Sequence, residues 1–308
     1  MNIRNFAAGD ESAIIALWNN TLTVDTVEMD LFCRRVLCDA YFDPDLFLIA
    51  EDSRQPVGFA YAVINNQQAW IGAMGVQSEY RCMGIGTALL NKLEAALIDR
   101  GAKNITLGNN PFNYFFPGVD QAAYKDALEF FKSRGYAETG DCVSMDMNLR
   151  GYRKPQKYIE KKAQLEAGGY RFQPFRIQDT MSFITFLREH FPSWQSDVCG
   201  SILGGRAQRT VRLAWDPDGK VIGFAMRSMD GTEERFGPFG VAEFAQGKSI
   251  GAILFNDLME NMVERRIFYT YFQQTTGRNL DIYGTWGMKI YRTYSLMSKD
   301  WKEPLITI

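Results

Sequence analysis

The chain is almost without histidine: His190 is its one copy, which leaves no basis for a histidine-based metal centre. Its five cysteines (Cys33, Cys38, Cys82, Cys142 and Cys199) are odd in number and contain no C-x-x-C pair. They read as reduced thiols of a cytosolic protein, not as a disulfide framework or a zinc site. Neither sign of charge predominates, since 34 Lys+Arg against 36 Asp+Glu leave a formal -2, so nothing electrostatic points to nucleic acid. Long apolar runs are missing too, because charges and glycines interrupt every candidate span. The first residues, Met1-Asn2-Ile3-Arg4-Asn5-Phe6, lack the charged-then-apolar order of a signal peptide. What is present, 46% hydrophobic and 23% charged residues over 308 positions, fits two globular domains of ordinary size. A soluble cytoplasmic enzyme or binding protein is expected.

The sequence repeats itself. Phe47-Leu48-Ile49-Ala50-Glu51-Asp52 leads through a turn to Val57-Gly58-Phe59-Ala60-Tyr61, and Val211-Arg212-Leu213-Ala214-Trp215-Asp216 leads to Ile222-Gly223-Phe224-Ala225-Met226. Each is a hairpin pattern, two apolar segments around turn-forming residues. Gly58 and Gly223, Val76 and Val241, Arg81 and Gln246, and Gly86 and Gly251 are all 165 residues apart (223 − 58), one register across a hairpin, a strand and a glycine loop. Further on, Phe131 and Tyr283, and Gly135 and Gly287, are 152 apart, so the first copy holds 13 extra residues, assigned to Pro111–Ala123. Between the copies, Pro155 opens and Gly168-Gly169 closes a polar helical stretch. The expected domains are therefore 1–149, a helical linker at 150–169, and 170–308.

The most informative segment is Met74-Gly75-Val76-Gln77-Ser78-Glu79-Tyr80-Arg81-Cys82-Met83-Gly84-Ile85-Gly86-Thr87. An apolar strand ends in a turn and two glycines, after which Leu89, Leu90, Leu93, Ala96 and Leu97 mark one face of a helix. Glycines at a strand-to-helix turn let the backbone approach a ligand, and the free N–H groups of the helix start attract an anion such as a pyrophosphate. Arg81 adds a charged donor. A tight helix entry with no ligand is the bland reading of the same residues.

These residues resemble the GNAT acyltransferase superfamily. Arg81-Cys82-Met83-Gly84-Ile85-Gly86 fits its Q/R-x-x-G-x-G/A loop, and Ala127-Leu128-Glu129-Phe130-Phe131-Lys132-Ser133-Arg134-Gly135-Tyr136 is similar to its late helix end. The second copy matches through Gly237-Pro238-Phe239-Gly240-Val241, through Gln246-Gly247-Lys248-Ser249-Ile250-Gly251 with Ser249 in place of a glycine, and through Tyr283-Gly284-Thr285-Trp286-Gly287. The resemblance implies an α/β (α+β) fold of two tandem GNAT copies, each a mixed central sheet flanked by helices. Mycothiol synthase is a family precedent for such a tandem. It also implies acetyl-CoA as acyl donor and direct attack on the thioester by a primary amine of a small molecule or peptide. Cofactor contacts carried over are Gly75, Val76, Arg81, Cys82, Met83, Gly84, Ile85, Gly86 and Thr87 in the first copy. In the second they are Val241, Gln246, Gly247, Lys248, Ser249 and Gly251. The family's acid, a tyrosine of the late helix, falls on Tyr283; Phe131 stands there in the first copy, where Tyr124 or solvent is the substitute. Glu79 is the base candidate in the first copy and Glu243 in the second, although each reads first as a surface carboxylate; Tyr283 is readable also as a core aromatic. The loop Asn109–Asp120 reads as an acceptor wall or as packing, and His190 as structural. The alternative to an enzyme is a non-catalytic acyl-CoA-binding or sensing protein. No nucleic-acid or membrane partner is expected, and a homodimer is left open.

Overall fold

The computed structural model describes residues 1–110 and 115–301. In chain order these hold β1 (Asn2–Asn5), α1 (Glu11–Thr21), α2 (Met29–Phe32), β2 (Phe47–Asp52), β3 (Gln55–Asn65), β4 (Gln68–Val76), α3 (Ile85–Asp99), β5 (Asn104–Leu107), β6 (Val119–Asp120), α4 (Lys125–Lys132) and β7 (Ala137–Asn148). There follow α5 (Gln156–Ala167), β8 (Arg171–Pro174), α6 (Thr180–His190), α7 (Gln195–Leu203), α8 (Ala207–Thr210), β9 (Val211–Trp215), β10 (Val221–Arg227), β11 (Phe236–Val241), α9 (Ile250–Glu264), β12 (Tyr269–Thr275), α10 (Arg278–Thr285) and β13 (Lys289–Asp300).

The elements divide into two compact units that are not contiguous in sequence: Met1–Val143 with the chain from Arg292 onward, and Ser144–Tyr291. Where the sequence suggested a cut near residue 150, the backbone hydrogen bonds assign the last strand to the first unit. β13 runs antiparallel to β5, with Ser298 opposite Thr106 and Asp300 opposite Asn104, and so covers an edge that β5 would otherwise leave open. The stretch 150–169 is helical as expected but is no free spacer. Lys154 and Lys162 both form ion pairs with Asp257 of α9, at 2.7 and 2.8 Å, and fix α5 to the second unit.

In the first unit β1 to β4 are antiparallel neighbours and β4 pairs with β5 in parallel. Ser53 and Arg54 join β2 to β3 with φ of 50° and 71°, the two-residue turn whose twist matches the strands. Alternation then sorts the side chains. Leu48, Ala50, Ala60 and Ala62 face α3 and its Leu89, Leu90, Leu93 and Leu97. Phe47, Ile49, Phe59 and Tyr61 face α1, where Trp18 stacks on Phe59 at 5.3 Å between centroids. Both faces are covered, so both sets of the period-two pattern are apolar.

The second unit repeats this plan with β8, β9, β10 and β11 in one antiparallel order, α9 on one side and α6 on the other. The turn Asp216–Gly219 closes as read, with the Asp216 carboxylate accepting from the Lys220 N–H at 2.8 Å. The extra length of the first copy lies where it was placed: residues 108–124 connect β5 to α4, whereas 276–277 connect β12 to α10.

Candidate active site

In the first unit, β4 pairs with β5 only from Gln68 to Ile71, and the ladder ends at the bond from the Gly108 N–H to the Ile71 carbonyl. On its other side β4 stays paired with β3 as far as Val76. An extra residue, Gly72, interrupts that register, and a Cβ there would stand 2.8 Å from the Tyr61 ring. From Gly72 to Val76 one backbone edge is therefore turned to open space, with N–H and C=O groups that need partners.

The chain then turns through residues 78–80 and enters α3 at Gly84, whose φ of +83° is a left-handed conformation that costs a side-chain-bearing residue about 1–2 kcal/mol. The first turn of α3 leaves its N–H groups without helical acceptors, aimed at the loop. A cavity of about 1150 Å³ joins these features. It runs from Arg81, Gly84 and Thr87 along β4 to Thr23, Phe116 and Tyr124.

The structure sorts the first-copy candidates. Gly75, Val76, Arg81, Cys82, Gly84, Gly86 and Thr87 line the cavity, and Arg81 is tethered by its Nε donating to the Val76 carbonyl at 3.1 Å. Met83 points outward, 67% exposed, and Ile85 is buried in the core beside Leu89. Glu79 is corrected. It sits exposed on the surface turn, outside the cavity lining, and its own N–H together with Ser78 holds its carboxyl below the usual range, the wrong direction for a base. Of the expected acceptor wall, Phe116, Gly118 and Val119 line the cavity, whereas Pro111 to Tyr114 lie outside the described residues.

Tyr124 stands at the far end, just ahead of α4, and donates its hydroxyl proton to Asp25 Oδ2 at 2.6 Å. Burial, reinforced by that carboxylate, pushes the phenol well above its ordinary pKa. Sequence reasoning missed Asp25 and also Arg134. The latter donates to the Thr87 hydroxyl and lies 3.7 Å over the Phe130 ring, a fixed cation beside the start of α3. The repeat register held a signal for it: Arg134 and Trp286 stand at the same 152-residue offset as Gly135 and Gly287.

The second unit keeps the loop. Gln246 Nε2 donates to the Val241 carbonyl at 3.2 Å, as Arg81 does to Val76, and Gly247 and Ser249 take φ of +79° and +67°. Lys248 reaches the Tyr170 hydroxyl at 3.3 Å. A Cβ at Gly251 would meet Phe239 at 3.0 Å and Trp286 at 3.6 Å, much as one at Gly86 would meet Phe130 at 3.3 Å, but Trp286 stands where the first copy has Arg134. Tyr283 belongs to the same cluster, with its centroid 4.6 Å from Phe272 and 5.6 Å from Trp286. Desolvation among these rings raises its pKa, and the half-buried ring packs edge-on in this aromatic cluster, the alternative reading of Tyr283 given with its assignment as the acid. Glu243, in the turn after β11, is exposed.

Among the described residues no group of His, Cys, Asp and Glu could hold a metal ion, and no helix is long and apolar enough to cross a membrane. The model of the acetyltransferase (GNAT) family matches residues 15–116, which include β4, the loop and α3. An acetyltransferase of Pectobacterium atrosepticum is 32% identical over 152 residues, 48% of this chain and 96% of the relative. One from Sodalis glossinidius is 36% identical over 110 residues, 35% of this chain and 74% of the relative. Among solved structures, a GCN5-related glucosamine N-acetyltransferase region of a fungal multi-domain β-N-acetylglucosaminidase superposes with a TM-score of 0.82 at 21% identity. The match covers 96% of this chain but 38% of that larger one. A tandem GNAT protein from the clavulanic acid pathway superposes with a TM-score of 0.67 at 12% identity over 98% of this chain and 99% of that one. Identities this low establish the fold alone.

Proposed function

The chain belongs to the GNAT acetyltransferase family, and from that premise we propose that it transfers an acetyl group from acetyl-CoA to a primary amine, in the first unit. One observation carries the reading: a single cavity joins the anion-binding start of α3, the unpaired edge of β4 and the Tyr124 hydroxyl. The Gly84–Thr87 amides and Arg81 suit a pyrophosphate, with Arg134 adding positive charge nearby. The edge from Gly72 to Val76 suits the amide-bearing arm of the donor, and an N–H of that edge can polarise the thioester oxygen. In the reaction the acceptor nitrogen bonds the acyl carbon, the carbon–sulfur bond breaks, and the proton lost by the amine is matched by one gained at sulfur. The Tyr124 hydroxyl lies at that end of the cavity with its proton donated to Asp25, so the proton at sulfur comes from solvent, the alternative the sequence left open for the first copy. The second unit supports the fold. Its loop is retained, but Gln246 and Trp286 stand where the first unit has the cations Arg81 and Arg134. The acceptor is a small-molecule or peptide amine, and the cytoplasm is the compartment we assign to the reaction.

The test is calorimetric titration of acetyl-CoA into the wild type, Gly84→Glu and Ser249→Glu. Both substitutions place a carboxylate at a left-handed helix-entry residue; Gly84→Glu adds a backbone strain that Ser249 already carries, so Gly84→Ser is the control for it. Loss of binding in Gly84→Glu alone is expected. Loss in Ser249→Glu alone would move the site to the second unit, and a wild type that binds acetyl-CoA yet releases no CoA with any of a panel of primary amines would make this a binding protein.

A further inference from the structure

Arg292 lies near the start of β13, 267 residues from its principal partner, and nothing in the phosphate loop points to it. Its guanidinium forks. Nη1 and Nη2 each donate to one oxygen of Asp25, while Nε donates to Asp120 Oδ2. All three side chains are largely buried, with Arg292 16%, Asp25 13% and Asp120 4% exposed. The two carboxylates do different work. Asp120 Oδ1 accepts from the Ala122 and Ala123 N–H groups, both at 2.8 Å, and so shapes the turn that delivers Tyr124. Asp25 Oδ2 accepts the Tyr124 hydroxyl proton. The backbone repeats the join, since Tyr294 pairs with Asp120 and the Gln121 N–H donates to the Thr293 carbonyl.

We propose that Arg292 is a positioning residue for acetyl transfer, holding Asp25 and Asp120 so that the Tyr124 oxygen is presented to the cavity as a hydrogen-bond acceptor for the N–H of the incoming amine. The proposal rests on the reading of the first unit as the acetyltransferase site. The logic is one of donors and acceptors. A phenol has one proton, and here Asp25 takes it, so the remaining lone pairs are what Tyr124 offers to the cavity. Both Asp25 oxygens accept from Arg292, and Oδ2 accepts from Tyr124 as well, so the guanidinium fixes the carboxylate that holds the phenol. A lysine could match the charge but not three bonds to two carboxylates in one plane. This arrangement also gives the C-terminal strand a function in the first unit that an isolated first copy would lack.

Two measurements on the full chain decide it. With tyrosines labelled with ¹³C at Cζ, the Tyr124 resonance, assigned by its loss in Tyr124→Phe, should report a phenol that stays neutral where exposed tyrosines ionise and should shift in both Arg292→Lys and Arg292→Ala. An unchanged resonance in both variants would overturn the positioning role. In amine-dependent CoA release over a panel of primary amines, Arg292→Lys and Asp25→Asn should lose about 10- to 100-fold in kcat/KM for the amine. Their acetyl-CoA affinity should stay within about twofold of wild type, and the double variant should lose no more than either single one. Independent, additive losses would refute the shared mechanism. If the wild type neither binds nor turns over acetyl-CoA, the functional reading fails, while the Tyr124 resonance still judges the positioning claim.

Discussion

Lys299, seven residues beyond Arg292 on β13, is the better place to measure how firmly the last strand is fastened, because its partner is buried. Its Nζ lies 2.9 and 3.1 Å from the two oxygens of Glu94 on α3, and the Tyr136 hydroxyl donates to the same carboxylate at 2.9 Å. Glu94 is 8% exposed and Lys299 18%. Lys299→Met keeps the stem but leaves the Glu94 charge with a single neutral donor. Breaking a buried pair this way costs about 3–5 kcal/mol, and the partial exposure of the ammonium places the expected loss near the lower limit, about 3 kcal/mol. Adding Glu94→Gln removes the stranded charge and still offers Tyr136 an acceptor, so the double variant should recover to within about 1 kcal/mol of wild type. Urea titration of wild type, both single variants and the double would give the coupling from the midpoints at a common slope. A coupling energy under about 0.5 kcal/mol would refute the reasoning, since it would mean that Glu94 is solvated well enough not to need its partner.

Two further outcomes follow from isolated features of the structure. Burial on α7 lifts the Asp197 carboxyl to about 6 from its ordinary 3.8, so its stabilising contribution is complete below pH 3.8 and is lost as the pH rises through 6. Asp197→Asn should therefore stabilise the fold by about 1–2 kcal/mol at pH 7.5 and by nothing measurable near pH 3.8, which urea midpoints at the two pH values check. Cys82 and Cys38 are both exposed, but only Cys82 lines the cavity, at a φ of +60° in the anion loop, whereas burial pushes the Cys142 thiol up to about 12. Acetyl-CoA should slow alkylation of Cys82, leave Cys38 unaffected and find Cys142 unreactive; equal rates at Cys82 with and without ligand would contradict the placement of the loop.

The parts of this molecule visible in the sequence are those whose cause is local. The hairpins declared themselves through alternation and turn residues, and α3 through the spacing of Leu89, Leu90, Leu93 and Leu97. The strand-to-helix loop showed in Gly84 and Gly86, where a left-handed backbone and a close approach to the Phe130 ring demand glycine. The copy register even placed the additional residues correctly between β5 and α4. What it could not show depends on contacts made far along the chain. A linker helix and a docked helix have the same composition until Asp257 is seen to hold Lys154 and Lys162. Tyr283 sits where a family tyrosine should, yet its environment is made by Phe236, Phe239, Phe272 and Trp286, from three different elements. Register alone cannot report that.

The exchanged strand is the most instructive omission, because no local pattern marks it. Lys289–Asp300 reads as the natural close of the second copy, and only its pairing with β5 transfers most of it to the first unit. Two charges on that strand then acquire meaning: Lys299 neutralises Glu94 beneath α3, and Arg292 holds the carboxylates around Tyr124. A first copy cut at residue 149 would keep the glycine loop and the unpaired edge of β4, and so every residue from which the cofactor site was read. It would lack both cations and leave two buried carboxylates, Glu94 and Asp120, and the half-buried Asp25 without their counter-ions. The second half of the chain is thus required whatever its own loop binds, because the strand at its end completes the first unit.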